Sequence, residues 1–163
     1  MEIMTKDVKV ATCEMSLHEV AAMMRDEDTG VIPVVVRHSM ATDDKPRESG
    51  QANGTASYRL VGLVTDRDIV IRALAQGKDP RATRVEEVMT TDVHTAHPND
   101  RVIDTIRKMG DKQVRRIPIV DDQYNLRGII SMADIALETE EDRELADALE
   151  EISSGASFWS KVS

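Results

Sequence analysis

The sequence predicts a mixed fold of the α+β (α/β) class, built as two β-α-β-β-α repeats packed sheet to sheet with pseudo-twofold symmetry. Two observations predict the repeats: the chain contains an internal duplication, and each copy alternates β-branched apolar runs with stretches of helical period. A third observation, the small size of each copy, predicts that the two sheets pack on each other. Each copy offers only three short strands and two helices, so its sheet needs the other copy to cover its open face.

The duplication is visible in two motifs that recur in the same order. The segment MTKDV at Met4–Val8 reappears as MTTDV at Met89–Val93. The run IPVV at Ile32–Val35 reappears as IPIV at Ile117–Val120, with the same offset along the chain.

The common offset is lost later in each copy. The run GLVT at Gly62–Thr65 corresponds to GIIS at Gly128–Ser131, and the offset between these two runs is shorter than that of the earlier motifs. The first copy therefore carries an insertion between its IPVV run and its GLVT run.

The additional residues fall in segment 38–57, where Met40 is the only large apolar residue. Such a composition cannot bury enough apolar surface to offset its ordering entropy, so we expect a mobile hairpin extension or a disordered loop. The predicted division is residues 1–83 for the first repeat with this insertion, 84–138 for the second repeat, and 139–163 for a C-terminal helix and tail.

Each copy begins with a predicted short strand, Val8–Ala11 or Val93–Ala96, followed by a helix. A Ser-x-x-Glu pattern at Ser16 predicts a capping box for the first helix, and Asn99 or Asp100 is the predicted cap of the second. Apolar residues at i, i+4 and i+7 mark the face expected to be buried. They are Leu17, Ala21 and Met24 in the first copy, and Val102, Ile106 and Met109 in the second.

Two further strands are expected to form a hairpin in each copy. Val31–Arg37 and Arg116–Val120 are rich in β-branched residues, as buried strands are. Leu60–Thr65 and Leu126–Ser131 are expected to pair back on them after a turn.

Helices close the first copy, join the copies and follow the second. The closing helix is expected to end near Gly77, and Val85–Met89 is predicted to form a short helical link. Thr139 is the predicted N-cap of an acidic C-terminal helix with an apolar stripe. Together with the pair Phe158 and Trp159, that stripe suggests a docking tail used in dimerisation.

Charge and cysteine content narrow the classes of function. The formal net charge of −9 and the pI of about 4.9 give a field that repels nucleic-acid backbones and anionic membranes. The single cysteine, Cys13, cannot form an intramolecular disulfide, which favours a cytoplasmic protein. No basic stretch precedes a long apolar run, so we expect neither a signal peptide nor a membrane span.

No residue pattern proposes a reaction. Cys13 has no flanking base or basic cluster to activate it, and the chain lacks a Walker loop, a Rossmann glycine pattern and Gly-x-Ser-x-Gly. Of the four histidines only His94 and His97 are close together, without the other ligands of a metal motif. We therefore predict no enzyme, no metal site and no required cofactor.

A hydroxyl residue followed three residues later by aspartate occurs at the same place in both copies. The pairs are Thr65 with Asp68 and Ser131 with Asp134, each directly after a β-run that begins with glycine. Taken alone, each pair is a helix cap in which the hydroxyl accepts from the N3 amide. The same groups also suit a ribonucleotide, since free amides and a hydroxyl bind phosphate and a carboxylate accepts both ribose hydroxyls.

The Met-Thr-x-Asp-Val segment, the amphipathic helix, the Ile-Pro-Val-Val run and the Gly-x-x-Thr-x-x-Asp motif together resemble a cystathionine-β-synthase (CBS) domain. Two copies in tandem resemble a stand-alone Bateman module, and the resemblance covers about residues 2–137. It implies a module that binds AMP, ADP, ATP or a related ligand such as S-adenosylmethionine in clefts between its motifs. It further implies a homodimer that regulates an unidentified effector protein and does not catalyse a reaction.

The resemblance also assigns candidate ligand-binding residues. Asp68 and Asp134 would take the ribose hydroxyls, and Thr65 and Ser131 would contact phosphate. Further residues would line the adenine slot, although apolar residues on strands are equally required for core packing. These lining candidates are Val8, Val93, Ile32, Pro33, Ile117 and Pro118.

The copies differ in positive charge beside the expected phosphate position. Arg115 and Arg116 precede the second Ile-Pro, where the first copy has no arginine, and Arg67 lies in the first turn, where the second copy has alanine. A guanidinium binds phosphate oxygens in a bidentate fork, so these arginines would set the preference among mono-, di- and triphosphates. The alternative is ordinary surface charge on exposed loops.

Two functions follow as alternatives. The first is a regulatory module that binds an adenine ribonucleotide and changes the arrangement of its motifs or subunits. The second is a ligand-free structural module for dimerisation or for interaction with a partner protein. An adenosyl ligand stabilises the first against heat and leaves the second unchanged.

Overall fold

The computed structural model describes residues 3–38 and 57–138, together with positions 147 and 150, which are helical. The predicted mixed fold class is confirmed: β1 pairs with β2 in one two-stranded sheet and β3 with β4 in another. In the described part of the chain, no helix is both long and apolar enough to cross a membrane. The elements in order are α1 (Leu17–Asp26), β1 (Val31–His38), β2 (Ser57–Thr65), α2 (Asp66–Arg72), 3₁₀ turns at Leu74–Gln76 and Val85–Glu87, α3 (Val102–Lys112), β3 (Arg116–Val120), β4 (Leu126–Ser131) and α4 (Met132–Glu138).

Two predicted segments lie largely outside the described residues. The predicted insertion spans 38–57, but His38 pairs with Ser57 at the loop end of the β1–β2 hairpin, so both belong to strands. The remainder of the insertion, 39–56, is not among the described residues, and neither is most of the C-terminal helix and tail at 139–163.

The first sheet is an antiparallel hairpin whose register runs from Val31 opposite Thr65, with an irregularity between Val34 and Val35. A third segment adds to β1 at one residue, because the Ala11 N–H donates to the Pro33 carbonyl and the Ala11 carbonyl accepts from the Val35 N–H, both at 2.8 Å. The strand predicted at Val8–Ala11 is therefore reduced to a single pairing.

The second copy repeats this arrangement. The Ala96 N–H donates to the Pro118 carbonyl at 3.0 Å, and the Ala96 carbonyl accepts from the Val120 N–H at 2.9 Å. The strand predicted at Val93–Ala96 is thus also limited to one paired residue, because only that residue is close enough to β3 for both bonds.

The predicted face of α1 is correct at its ends and wrong in the middle. Leu17 and Met24 are buried, but Ala21 is exposed and Val20 takes its place in the core. A larger β-branched side chain fills the space against the sheet better than alanine does. In α3, Ile106 and Met109 are buried as predicted, whereas Val102 is half-buried.

The caps of these helices show the limit of local patterns. Ser16 forms the predicted capping box with Glu19. In the second copy the predicted caps, Asn99 and Asp100, are wrong: Arg101 is the N-cap of α3 and makes no side-chain cap bond. Asp100 instead accepts from the His97 backbone N–H at 2.8 Å, which closes the preceding turn.

The segment between the repeats follows the prediction closely. Gly77 adopts φ of 72°, in the left-handed region that glycine tolerates, and its N–H donates to the Leu74 carbonyl at 3.1 Å. It ends a 3₁₀ turn that follows α2. The predicted helical link at Val85–Met89 is present as the 3₁₀ turn Val85–Glu87.

The described residues form two compact units. One, the first-repeat unit, contains residues 9–92 and 123–126; the other, the second-repeat unit, contains residues 3–8, 93–122 and 127–138. Each has its own aliphatic core. The first core contains Ala11, Leu17, Val20, Met24, Ile32, Val34, Val64, Ile69, Ala73, Val85 and Val88, and the second contains Ala96, Ile106, Met109, Ile117, Ile119, Ile130 and Ile135.

Each unit also holds one Met-Thr pair from the repeated MTxDV motif. In the first-repeat unit, Thr90 exchanges backbone hydrogen bonds with Leu63 of β2, at 2.7 and 2.9 Å. In the second-repeat unit, Thr5 exchanges the equivalent bonds with Ile129 of β4, at 2.8 and 3.0 Å. The Met-Thr pair that begins the first copy in sequence is therefore bound to the hairpin of the second.

Replacing Ser16 by alanine is expected to lower the free energy of unfolding by about 1 kcal/mol, the usual value of such a cap. The Ser16 N–H and hydroxyl both donate to the Glu19 carboxylate at 2.8 Å, which holds the pKa of Glu19 below its ordinary 4.5. A carboxyl group whose pKa is lowered by folding stabilises the protein at pH values above its pKa in the unfolded chain. That stabilisation is lost as the pH falls through its pKa in the folded protein. Urea titrations should therefore show a difference in the free energy of unfolding between wild type and Ser16→Ala that is largest at pH 7 and becomes smaller below pH 4.5.

Ser16→Thr is the matched control, since threonine keeps the hydroxyl that caps the helix and donates to Glu19, and it should retain most of the stability at pH 7. A difference between wild type and Ser16→Ala that does not change with pH would contradict the role of Glu19 in this box.

Candidate functional site

The first candidate corner lies where β2 turns into α2, inside the first-repeat unit. Thr65 is the N-cap: its Oγ1 accepts from the Asp68 N–H at 3.0 Å, and Asp68 Oδ2 accepts from the Thr65 N–H at 3.1 Å. Asp68 is only 8% exposed. The helix-cap alternative raised by the sequence is therefore present, and any ligand role is additional to it.

Asp68 has further partners that are far away in sequence. The Thr90 hydroxyl donates to both carboxylate oxygens, at 3.3 Å for Oδ1 and 3.2 Å for Oδ2. The Arg72 Nε lies 3.6 Å from Oδ1, and Arg72 Nη1 donates to the carbonyls of Val88 at 3.1 Å and Met89 at 3.3 Å. The carboxylate is thus connected to the segment that joins the repeats.

Sequence reasoning missed Thr90 and Arg72 as members of this site. Arg72 follows Asp68 by four residues, the spacing at which two helical side chains meet, so its part was detectable from the sequence. Thr90 belongs to the repeated Met-Thr motif, but its 22-residue separation from Asp68 gives no local signal.

The second corner lies where β4 turns into α4, inside the second-repeat unit. Asp134 Oδ2 accepts from the Ser131 N–H at 2.9 Å and from the Ser131 hydroxyl at 2.6 Å, while the Asp134 N–H donates to Ser131 Oγ at 3.1 Å. Both residues are half-buried. No described residue forms a hydrogen bond with Asp134 Oδ1, so one carboxylate oxygen remains available at this corner.

Charged residues beside the two corners differ. The Arg115 carbonyl accepts from the Met132 N–H, the first amide of α4, at 2.9 Å, which fixes the backbone of Arg115 at the second corner. Arg115 is exposed and Arg116 half-buried. The second corner therefore has a cationic residue at the start of α4.

In the first corner Gly30 is equivalent to Arg115, and an acid, Asp66, is equivalent to Met132. The Gly30 carbonyl accepts from the Asp66 N–H at 3.0 Å, and Asp66 Oδ1 accepts from the Arg67 N–H at 2.7 Å. The Asp66 side chain lies close to the Gly30 backbone, since a Cβ on Gly30 would be 2.8 Å from Asp66 Oδ2. Arg67 is exposed, so at this position the first corner presents an arginine next to an additional carboxylate, Asp66.

The predicted adenine-slot residues divide into core and partly exposed positions. Ile32 and Ile117 belong to the two cores, and Pro33 and Pro118 are also buried. Burial of this kind is what packing alone requires. Val8 and Val93 are half-buried, and both belong to the second-repeat unit.

Within the described residues, Cys13 and the histidines at 18, 94 and 97 belong to no metal-binding cluster. Cys13 is half-buried, and its pKa is raised by loss of solvent and by the carboxylates of Glu14 and Glu86, which disfavours a reactive thiolate. His97 Nε2 lies 3.1 Å from Asp122 Oδ1. A search of the same residues finds no group of three or more His, Cys, Asp or Glu side chains arranged for a metal ion.

Comparison with protein families and individual proteins gives matches along most of the chain. The family model of the CBS domain matches residues 1–46 and 85–141. The CBS domain-containing protein YhcV of Bacillus subtilis is 35% identical over 152 residues, which are 93% of this chain and 93% of that protein.

Two solved structures are similar in both sequence and fold. Hypoxic Response Protein I, with two coordinated zinc ions, is 30% identical with a TM-score of 0.63, over 83% of this chain and 94% of that chain. The CBS domain pair of protein MJ0100, in complex with 5′-methylthioadenosine and S-adenosyl-L-methionine, is 28% identical with a TM-score of 0.65, over 85% of this chain and 96% of that chain. The similarity therefore concerns the whole tandem arrangement and not a single motif.

Proposed function

The chain belongs to the CBS-domain family, and on that premise we propose that it is a regulatory module that binds an adenosyl ligand and transmits binding to an effector protein. The observation that carries the proposal is the hydroxyl–carboxylate corner present in both repeats. The ligand classes are AMP, ADP, ATP and S-adenosylmethionine. The proposal places the module in the cytoplasm as a homodimer without enzymatic activity.

The chemistry of the corners suits a nucleoside in a specific way. A carboxylate offers about four lone-pair positions, and the capping bonds use only part of them. At Asp134 the bonds from Ser131 fall on Oδ2, which leaves Oδ1 for a ribose hydroxyl. A cap therefore holds the carboxylate in a fixed rotamer and also presents an acceptor for a diol.

The charged residues around the corners support a choice of ligand. At the second corner Arg115 and Arg116 would pair with a phosphate, since guanidinium groups bind its oxygens in a fork. At the first corner the Asp66 carboxylate repels an anion, so it offsets the attraction of the neighbouring Arg67 for a phosphate. The MJ0100 domain pair, at 28% identity, carries adenosyl ligands that have no phosphate, which supports the adenosine moiety as the common element.

The regulatory step requires differential affinity. A ligand shifts a conformational equilibrium only by as much as it binds one state more tightly than the other. The described residues place the corners at the starts of α2 and α4, so the ligand's contacts fall directly on the last helix of each repeat.

A thermal shift tests the proposal against the ligand-free alternative. Calorimetry with AMP, ADP, ATP and S-adenosylmethionine should identify at least one ligand with a measurable Kd. At ten times that Kd the ligand should stabilise the fold by about 1.4 kcal/mol, which raises the melting temperature by roughly 3–6 °C for a domain of this size. No binding heat together with an unchanged melting temperature would favour the structural dimerisation module instead.

A further inference from the structure

The Thr90 hydroxyl contacts Asp68 in a way that resembles a ligand. It donates to both carboxylate oxygens, at 3.3 and 3.2 Å, and so faces the open edge between them. Two vicinal hydroxyls that bind one carboxylate approach the same edge, one to each oxygen. The edge of Asp68 is already occupied by a side chain of the protein.

The remaining positions on Asp68 are also in use. Oδ2 accepts from the Thr65 N–H at 3.1 Å as part of the cap, and Arg72 Nε lies 3.6 Å from Oδ1. With the carboxylate only 8% exposed, a diol cannot add to this arrangement without replacing one of its donors. The Thr90 hydroxyl is the donor that can be replaced without breaking α2 or its cap, because it belongs to neither.

Thr90 also ends a short segment that is fastened to the same corner. We define the linker segment as Val88–Thr90, which follows the 3₁₀ turn and ends shortly before the other unit begins at Val93. Arg72 Nη1 holds the carbonyls of Val88 and Met89, and Thr90 pairs with Leu63. The state of Asp68 is thus connected to one of the covalent connections between the two units, the one at residues 92 and 93.

We propose that the Thr90 hydroxyl is an internal competitor for the ribose diol at Asp68, so that a nucleoside at the first corner releases the Thr90 end of the linker segment from Asp68. This inference rests on the proposed function and adds its regulation. Arg72 then acts as a positioning residue, since it keeps the carbonyls of Val88 and Met89 beside the carboxylate that Thr90 vacates.

The second corner has no such competitor. Thr5 is the residue equivalent to Thr90, but within the described residues its hydroxyl makes no bond to Asp134, and Ser131 of the same corner is the hydroxyl donor. A ligand at Asp134 therefore displaces no segment of this kind. The proposed competition is confined to the first corner, so only a ligand bound there displaces a hydroxyl of the linker segment.

The test measures adenosine affinity by calorimetry in an Asp134→Asn background, so that the measured affinity is that of the first corner alone. Thr90→Val removes the competing hydroxyl without changing the side-chain shape and should tighten adenosine binding by about tenfold, in line with one hydrogen bond to a charged group. Thr90→Ser retains the hydroxyl and should bind as the background does. 2′,3′-Dideoxyadenosine lacks the diol and should bind all three proteins equally. Unchanged or weaker adenosine binding in Thr90→Val, with Thr90→Ser unaltered, would overturn the inference.

Hydrogen exchange tests, in the absence of any ligand, whether the Thr90 hydroxyl holds the linker segment in place. The Leu63 N–H, which donates to the Thr90 carbonyl at 2.9 Å, and the amide of residue 90, which donates to the Leu63 carbonyl at 2.7 Å, should exchange faster in Thr90→Val than in Thr90→Ser. Equal exchange would show that the hydroxyl does not hold the linker and would refute the inference even if adenosine binds. A wild-type chain that binds neither adenosine nor any of AMP, ADP, ATP and S-adenosylmethionine would instead refute the proposed function, while faster exchange would still support the anchoring of the linker segment.

Discussion

Replacing Asp68 and Asp134 together by asparagine is expected to weaken adenosyl-ribonucleoside binding by at least about 100-fold while leaving the chain folded. Each carboxylate is proposed to accept from two ribose hydroxyls, and hydrogen bonds to a charged group contribute about 1.5–3 kcal/mol each. In asparagine the one carbonyl oxygen takes the capping bonds, and an NH2 group, which cannot accept, replaces the oxygen that faces the ribose. Tenfold in affinity corresponds to about 1.4 kcal/mol, which gives the expected factor.

The matched control is Asp66→Asn, which removes a carboxylate two residues from Asp68. Asp66 is exposed, and its Oδ1 accepts only a local bond from the Arg67 N–H at 2.7 Å. Calorimetry should show ligand affinity in Asp66→Asn within a few-fold of wild type, and tighter for an anionic ligand because a like charge is gone. If the Asp68/Asp134 double variant also keeps wild-type affinity at an unchanged melting temperature, these corners are helix caps and nothing more.

The single variants assign the two corners separately. Asp134 has an oxygen without a described partner, whereas both oxygens of Asp68 contact Thr90. A nucleoside therefore meets no internal competitor at the second corner, and Asp134→Asn should cost more affinity than Asp68→Asn.

Local chemistry accounts for the parts of this fold that the sequence predicted. The capping boxes at Ser16 and Thr65 depend on residues three apart, and the β-branched runs around Ile32 and Ile117 form strands wherever the chain is buried. Such features are decided within a few residues, so one sequence is enough to find them.

Non-local pairing accounts for what was missed. Thr90 reaches Asp68 across 22 residues, and Arg72 reaches Val88 across 16, so both contacts depend on the tertiary fold of the first-repeat unit and not on neighbouring residues. The error at Asp100 has the same origin. The Asp100 carboxylate could also cap a helix, but it accepts from the His97 N–H in the preceding turn. The N-cap of α3 is instead Arg101, the position that corresponds to Ser16 in the first copy.

Replacing Gly128 by alanine is expected to destabilise the second-repeat unit by about 3 kcal/mol, since overpacking alone costs about 1–3 kcal/mol and the adjacent hydrogen bonds add to it. A Cβ at this position would lie 2.6 Å from the Thr5 carbonyl oxygen, closer than real Cβ contacts come. That carbonyl accepts from the Ile129 N–H at 3.0 Å, so it cannot move without loss of the Thr5–Ile129 pair. Urea unfolding measures the loss. Exchange of the Thr5 and Ile129 amides should accelerate more than exchange at α1.

Two controls separate a backbone collision from other costs of replacing glycine. Gly77→Ala places a Cβ in open space at φ of 72°, so it carries only the conformational penalty of the left-handed region, about 1–2 kcal/mol. Met4→Ala, combined with Gly128→Ala, removes the Met4 sulfur that would lie 3.0 Å from the new Cβ but leaves the carbonyl in place. Because the carbonyl is the obstacle, the double variant should regain little stability beyond that of Met4→Ala itself. Full recovery would show that a flexible side chain, and not the bound N-terminal Met-Thr pair, requires glycine there.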